Sequence, residues 1–172
     1  MAGKLVYVSK DVSDGSDTTL TVTGINSDDV YVAFVKQIQT NNGNETINMR
    51  VTKSGSADTS SNYDRAYTNL SSISAVALRY YADGTGSRIF ENVYDIKGGG
   101  QGFLYLYNFN SSSEYSFWSI ELVSTVSNQI AGQVGGGMHT VGSASDGIQI
   151  YGTSGGTFKS GATLLLYRMV NE

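Results

Sequence analysis

The sequence contains no cysteine and no proline, and each absence excludes a way of stabilising or shaping a chain. Without cysteine, the protein can form neither disulfides nor thiolate metal sites, so its stability must come from packing and hydrogen bonds. Without proline, its turns depend on glycine, asparagine, aspartate and serine, and slow X–Pro isomerisation cannot limit folding. The absence of cysteine leaves the redox compartment undetermined.

Charged residues are also scarce, at 15% of the chain, and the formal net charge is −4 at pH 7. No cluster of lysine or arginine marks a phosphate-binding surface, so we expect no nucleic-acid partner. No segment is apolar for long enough to cross a membrane, and the first residues lack the apolar run of a signal peptide. We therefore expect a soluble protein with no membrane partner, made without Sec-type export.

Glycine and aromatic residues are abundant instead, with 21 Gly, 12 Tyr and 6 Phe among short runs of valine, isoleucine and threonine. This composition is typical of many strands linked by tight turns. The chain has 172 residues and no internal repeat or linker, so we expect one domain over residues 1–172. About eleven strands at regular spacing predict an all-β sandwich or barrel.

The densest aromatic stretch, residues 102–123, predicts a hairpin at the centre of the fold. In its first arm, aromatic residues occupy every second position from Phe103 to Phe109, whereas Leu104 and Leu106 share the opposite face. Both faces are apolar, so both are expected to be covered.

The second arm of this hairpin changes phase, because the apolar positions shift by one residue at Phe117 and Trp118. We expect a β-bulge there. The residues predicted to carry the core are Phe34, Phe103, Leu104, Leu106, Phe117, Trp118, Ile120, Ile150 and Leu165.

Three other segments carry local signals. Residues 41–44, NNGN, predict a β-hairpin, because Asn-Gly favours a type I′ turn. Residues 63–70 fit both helical and strand periodicity, and we interpret them as a strand because poor helix formers end the segment. Residues 128–146 contain a triple glycine and are expected to be irregular.

Few residues could carry chemistry. His139 is the only histidine, but no G-x-S-x-G motif accompanies it, so a solvated loop residue is favoured over a Ser-His-Asp relay. Asp11, Asp14 and Asp17 could converge on calcium, but their spacing departs from the D-x-D-x-D-G loop and a strand-capping turn is favoured. We therefore expect neither an enzyme, nor a cofactor, nor a metal site.

Tyrosines are the candidate binding residues. Tyr80, Tyr81, Tyr94 and Tyr151 could stack on sugars or form a protein interface, because tyrosine combines a large contact area with a hydrogen-bonding tip. Cross-strand packing within a sheet is the competing interpretation, and it is the favoured one.

Four segments together resemble a β-sandwich module of virion proteins from tailed bacteriophages, especially marine ones. They are LTVTGINSDDVYVAFV from Leu20, SNYDRAY from Ser61, LYLYNFNSSS from Leu104 and DGIQIYGTSGGTFKSGATLLLYRM from Asp146. The chain departs from the family at its closing strand, which ends LYRM where the family usually has LYG. The resemblance implies a jelly-roll-like antiparallel sandwich without catalytic residues, used as a capsid decoration or cement subunit.

The same resemblance leaves a tail-fibre or receptor-binding module, with a cell-surface glycan as ligand, as the alternative. In either case we expect a homo-oligomer, with a trimer favoured, bound to the major capsid protein or a tail protein. The protein would be made in the host cytoplasm and act in the virion.

The first ten residues are predicted to form an arm, because an acidic turn separates the strand Leu5–Val8 from the sandwich. An unpaired strand of this kind is a ready donor to a neighbouring chain, although pairing within its own sandwich is the alternative. The predicted partner-contact residues are Leu5, Val6, Tyr7, Val8, Tyr80, Tyr81 and Tyr94.

Overall fold

The computed structural model describes residues 3–72, 76–94, 98–126 and 129–171, and all their regular elements are β-strands. The all-β fold predicted from composition is therefore confirmed. A helix that could span a membrane does not occur within the described ranges. The strands are β1 Gly3–Val12, β2 Thr19–Thr23, β3 Tyr31–Ile38, β4 Asn44–Lys53, β5 Ser56–Ala57, β6 Tyr63–Ser71, β7 Ala77–Gly84, β8 Ser87–Tyr94, β9 Gly100–Tyr107, β10 Ser116–Val126, β11 Gln129–His139, β12 Gly147–Gly152 and β13 Thr163–Asn171.

The strands form two antiparallel sheets, which pack face to face as a sandwich. The larger sheet has eight strands in the order β1-β13-β3-β9-β10-β11-β6-β7. The smaller has five, in the order β2-β12-β4-β5 with β8 beside β4. Thirteen strands are thus described, where about eleven are predicted.

The core lies between the sheets because apolar residues alternate along the strands. On β2 the side chains of Leu20 and Val22 are buried, and on β12 those of Ile148 and Ile150 are buried, as the alternation predicts. The eight-stranded sheet contributes Leu104, Leu106, Trp118 and Ile120 from its central strands β9 and β10.

Strand β1 is not a detached arm. It pairs with β13 from Gly3 to Val12, with a register shift between Tyr7 and Ser9. The Ser9 hydroxyl also donates to the Thr23 carbonyl at 2.6 Å, which joins β1 to the five-stranded sheet. The strand therefore pairs within its own sandwich, and its partner was not evident because β13 lies at the opposite end of the chain.

The hairpin of β9 and β10 lies at the centre of the eight-stranded sheet, as predicted, but it contains no bulge where one was expected. The register runs unbroken from the pair Phe117–Tyr107 to the pair Val123–Gln101. Phe117 is 39% exposed, so its prediction as a core residue is wrong. Three more of the predicted core residues, Phe34, Phe103 and Leu165, also lie on the outer side of this sheet. Their side chains are half-buried there.

Two further expectations are corrected. The NNGN segment connects β3 to β4, which lie in different sheets, so it is a crossover and not a hairpin. Most of the segment expected to be irregular is the eleven-residue strand β11. Its glycines have a packing reason, since a Cβ atom at Gly137 would lie 2.7 Å from Cζ2 of the Trp118 ring.

Candidate functional site

The side of the eight-stranded sheet that faces away from the core, here called the outer face, is unusually apolar. Cross-strand pairing places one residue from each strand in a single row. From β1 to β7 this row is Tyr7, Tyr167, Val32, Tyr105, Ser119, Gly136, Ala66 and Tyr80. It contains no charged residue, although one face of an antiparallel sheet is commonly polar and solvated.

The next row on the outer face carries two charges. From β1 to β7 it reads Lys10, Leu165, Phe34, Phe103, Glu121, Val134, Thr68 and Leu78. Leu78 is 78% exposed and Val134 is 50% exposed. Large apolar side chains therefore meet solvent at both the middle and the edge of this face.

The half of the outer face formed by β1, β13, β3 and β9 is a ridge of aromatic rings. Successive ring centroids lie between 5.5 and 6.5 Å apart, and most neighbouring rings are tilted or edge-to-face, as aromatic pairs prefer. The rings belong to Tyr7, Tyr167, Phe34, Phe103, Tyr105 and Tyr107. We call these six side chains the aromatic ridge.

Strands β10, β11 and β6 form a trough beside this ridge, because their row positions hold the small residues Ser119, Gly136 and Ala66. A depression of about 290 Å³ in the trough is lined in part by Ala66, Gly136 and Phe117. Tyr80 closes the trough at the edge strand β7, where its side chain is 87% exposed. The outer face thus has one half with large rings, which enclose depressions of about 560 and 190 Å³, and one half with small side chains along its central row.

The predicted partner-contact residues fall on different sides of the sheet. Leu5 and Tyr7 at one edge and Tyr80 at the other lie on the outer face. Tyr81 lies on the opposite side of β7 from Tyr80, with the Arg65 guanidinium 4.9 Å from its ring centroid.

The other predicted contacts give a mixed result. Val6 lies between Leu5 and Tyr7 on β1 and therefore on the opposite side of the sheet from them. Val8 packs against the core. The side chain of Tyr94 lies outside what the structure describes. Tyr151 lies on the outside of the five-stranded sheet, where the Arg50 guanidinium covers its ring at 4.0 Å.

The rest of the aromatic ridge is not among the predicted binding residues, because Phe34 and Phe103 are predicted in the core and both sides of β9 are expected to be covered. The alternation of Phe103, Tyr105 and Tyr107 was seen, and so was the need to cover both sides of β9. One side is covered by the second sheet, whereas within this chain nothing described covers the other. The signal for an exposed apolar sheet face was therefore present in the sequence.

His139 is buried, contrary to its interpretation as a solvated loop residue. It ends strand β11, its side chain is 0% exposed, and its Nε2 lies 3.3 Å from Oδ2 of Asp58. Burial lowers the pKa of His139, an effect that the nearby Lys53 increases and Asp58 opposes. Although a histidine and an aspartate meet here, no solvent reaches the imidazole, so a substrate cannot contact it in this conformation.

Asp58 is held by several donors. The backbone and hydroxyl of Ser60 donate to Oδ1, and Nζ of Lys53 lies 2.9 Å from Oδ2. Burial alone would raise the pKa of Asp58, but these hydrogen bonds hold it well below its ordinary value of 3.8. Asp58 therefore stays ionised and connects the segment after β5 to the end of β11.

A second polar cluster lies around Glu91 on β8. Its carboxylate lies 3.1 Å from an Arg88 guanidinium nitrogen and 3.5 Å from Arg79, and it accepts a hydrogen bond from the Asn69 amide at 3.2 Å. Because these charges pair with one another, the cluster is a contact between β8 and the strands β6 and β7.

The three aspartates of the acidic turn make capping contacts. Oδ2 of Asp11 accepts from the Thr21 amide at 2.8 Å, Asp14 accepts from Ser16, and Asp17 accepts from the Asp14 amide at 3.1 Å. The favoured interpretation as a strand-capping turn agrees with these contacts. Within the described residues, no three histidine or acidic side chains are grouped so as to hold a metal ion.

Comparisons of this chain with protein families, with curated proteins and with solved structures found no match.

Proposed function

We propose that the protein is a structural subunit of a tailed-phage virion, in the role of a capsid decoration or cement protein. The observation that carries the proposal is the outer face of the eight-stranded sheet, whose central row crosses all eight strands without a charge. A face of this kind is costly in water and favourable against another protein. The resemblance to jelly-roll-like virion modules supplies the phage context.

The size of the outer face supports a persistent contact. Eight strands spaced by about 4.8 Å span about 34 Å, and the seven residues from Gln101 to Tyr107 on β9 span about 20 Å, giving roughly 700 Å². The largest apolar patch on a typical monomer is roughly 300 to 600 Å². One partner of a standard protein interface buries about 800 Å², so the outer face is close to a whole interface.

A structural role without catalysis fits the polar groups of the chain. Its only histidine is buried against Asp58, and the arginines around Glu91 are paired with that carboxylate. The outer face offers mainly aromatic and aliphatic side chains instead, which suits association in a homo-oligomer and with capsid or tail proteins.

A tail-fibre or receptor-binding module is the second candidate, and one feature of the ridge favours it. The rings of Tyr105 and Tyr107 are near-parallel, at 27°, with centroids 6.5 Å apart. Tyrosine rings on an open sheet face can stack on sugars and hydrogen-bond to their hydroxyls. Binding on a glycan array that is lost in Tyr107→Ala, with the fold intact, would select this candidate.

The proposed function is tested on particles of the phage that carries this sequence. We expect mass spectrometry of purified virions to detect the chain in many copies, and a density map to place it on the capsid surface. A chain found only in the unassembled fraction of the lysate would overturn the proposal. Density at the tail tip alone would support the receptor-binding candidate instead.

A further inference from the structure

We infer that the outer face packs against the outer face of a second copy of this chain. The two copies are related by a two-fold axis that runs parallel to the strands, between β9 and β10. The inference deepens the proposed function, because it rests on the outer face being an assembly surface and names the molecule that covers it.

Size is the first argument for a second copy. Roughly 700 Å² of sheet face from each of two copies gives roughly 1,400 Å² in total. This lies within the range of about 1,200 to 2,000 Å² buried by stable interfaces. Two twisted sheets also pack naturally face to face, with their strands within about 30° of each other.

Shape is the second argument. Along the central row, the ridge presents Tyr167 and Tyr105, and the trough beside it presents Ser119, Gly136 and Ala66. A two-fold axis parallel to the strands reverses the strand order of the copy. The ridge of each copy then lies over the trough of the other.

The row register makes this pairing specific. With the axis between β9 and β10, Tyr105 of one copy opposes Ser119 of the other, and Tyr167 opposes Ala66. These two rings thus meet small residues, whereas at the edges of the pair Tyr7 of one copy meets Tyr80 of the other. An axis perpendicular to the strands would instead place ridge on ridge and trough on trough, leaving unfilled space between the sheets.

Charge is the third argument. A chain with a net charge of −4 repels its own copy unless the contact is nearly neutral, and the central row of the outer face carries no charge. In the second row, Glu121 of one copy lies over Phe103 of the other and not over the equivalent Glu121. The two-fold arrangement therefore brings no like charges directly together.

The arrangement is also closed. Because both copies use the same face, the pair closes on itself and no further copy can add there. A trimer, as favoured from the sequence, would have to use another surface.

The mass in solution tests the association. We expect light scattering on a sizing column to give twice 18.4 kDa for the parent chain. Ala66→Arg places a long charged side chain in the trough and should reduce the mass to that of one chain, with an unchanged circular dichroism spectrum. Thr19→Arg adds the same charge to the outside of the five-stranded sheet and should remain a pair. A parent chain that runs as a monomer would overturn the inference, as would an Ala66→Arg variant that still pairs.

A second variant removes the ridge without adding charge. Tyr105→Ala should weaken the pairing in the same assay, since it deletes the ring that opposes Ser119 of the other copy. Pairing as tight as in the parent chain would contradict the ridge-to-trough contact.

Dipolar spectroscopy tests the direction of the axis. The chain has no cysteine, so Tyr80→Cys carries a single spin label on the edge strand β7. With the axis parallel to the strands, the two labels lie at opposite edges of the sheet pair, about 35 Å apart. A separation of about 10 to 15 Å would equal the spacing of two stacked sheets plus the labels. It would place position 80 of one copy over position 80 of the other and would contradict an axis parallel to the strands.

The inference and the proposed function can fail separately. A monomeric chain that is present in virions would overturn the inference and leave the proposed function standing. A pair with the expected label separation that is absent from virions would support the inference and overturn the virion role.

Discussion

The outsides of the two sheets differ, although both sheets follow the same alternation of residues. On the five-stranded sheet the outward positions hold threonine, glutamine, asparagine and arginine, whereas the outer face of the eight-stranded sheet holds the aromatic ridge. The inward positions of both sheets are mostly apolar and buried. The alternation therefore builds the same core from both sheets and leaves two very different surfaces.

The polar outside of the five-stranded sheet makes lateral contacts of its own. The Gln149 amide donates to the Thr21 hydroxyl at 3.1 Å, and the Asn48 amide donates to the Tyr151 hydroxyl at 3.2 Å. Arg50 covers the Tyr151 ring. Such a surface is suited to water.

The outer face of the eight-stranded sheet lacks lateral polar contacts of this kind over most of its area. One contact of this type joins the hydroxyls of Tyr107 and Ser119 at 3.4 Å. Its rings pack on one another and leave their remaining surface exposed, which costs free energy in water. The difference between the two surfaces is the reason for proposing the eight-stranded sheet as the side on which the protein assembles.

The largest expected effect distinguishes the two sides of a single strand. Trp118 and Phe117 are adjacent on β10, but Trp118 is 3% exposed in the core and Phe117 is 39% exposed on the outer face. Trp118→Ala should lower the free energy of unfolding by about 3 to 5 kcal/mol, because it removes a buried ring and leaves a cavity. Phe117→Ala should lower it by about 1 kcal/mol or less.

Urea unfolding measures both values. The two substitutions are compared in the Ala66→Arg background, so that self-association does not contribute to the free energy. Equal losses for Trp118→Ala and Phe117→Ala would contradict the assignment of these residues to opposite sides of the sheet.

A smaller effect concerns the contact that joins the two sheets at His139. Burial lowers the pKa of this histidine below its ordinary 6.5, so the unfolded chain binds the proton more readily. The stability that the neutral imidazole contributes is present above pH 6.5 and is lost as the pH falls toward the lowered pKa. We expect the melting temperature to decrease between about pH 7 and pH 5.

The control for this pH dependence is His139→Gln, which cannot titrate and should flatten the slope in that window. Asp58 does not contribute to the slope in this window. Because its pKa is lowered in the folded chain, the stability that it contributes is lost only as the pH falls below its ordinary pKa of 3.8. A slope that is the same in His139→Gln and in the parent chain would assign the pH dependence to other groups.

The smallest expected effect lies on the polar outside of the five-stranded sheet. Arg50→Ala removes a guanidinium that stacks on Tyr151 and donates to the Thr85 carbonyl at 2.8 Å. Since the stacking is partly exposed, the loss should be about 0.5 to 1 kcal/mol in thermal unfolding. Pairing in solution should be unchanged, and dissociation of Arg50→Ala would show that the five-stranded sheet also takes part in assembly.

The strands could be predicted because period-two alternation is a local property of the sequence. On β2 and β12, where one side is polar, the alternation also identified the buried side. On β9, both sides are apolar, so the alternation grouped Phe103 with Tyr105 but could not decide which side the second sheet covers. That ambiguity placed Phe103 in the core and hid the ridge as a surface, whereas the bulge expected on β10 placed Phe117 in the core.

Contacts between distant parts of the chain could not be predicted. The pairing of β1 with β13 and the contact of His139 with Asp58 depend on the order of strands in the sheets, which alternation does not specify. The triple glycine suggested an irregular segment, whereas in β11 it lets Trp118 and the neighbouring strands approach closely. Local sequence signals thus identified most of the strands but not which strands lie beside one another.

The central claim is that the outer face of the eight-stranded sheet is covered by protein in the working assembly. Tyr80 and Tyr81 test it directly, because they are adjacent on β7, lie on opposite sides of the sheet, and are 87% and 53% exposed in the single chain. Hydroxyl-radical footprinting measures the oxidation of each tyrosine in the assembled protein and in the monomeric Ala66→Arg variant. We expect assembly to protect Tyr80 strongly and Tyr81 little, whereas equal oxidation of Tyr80 in the two states would contradict the claim.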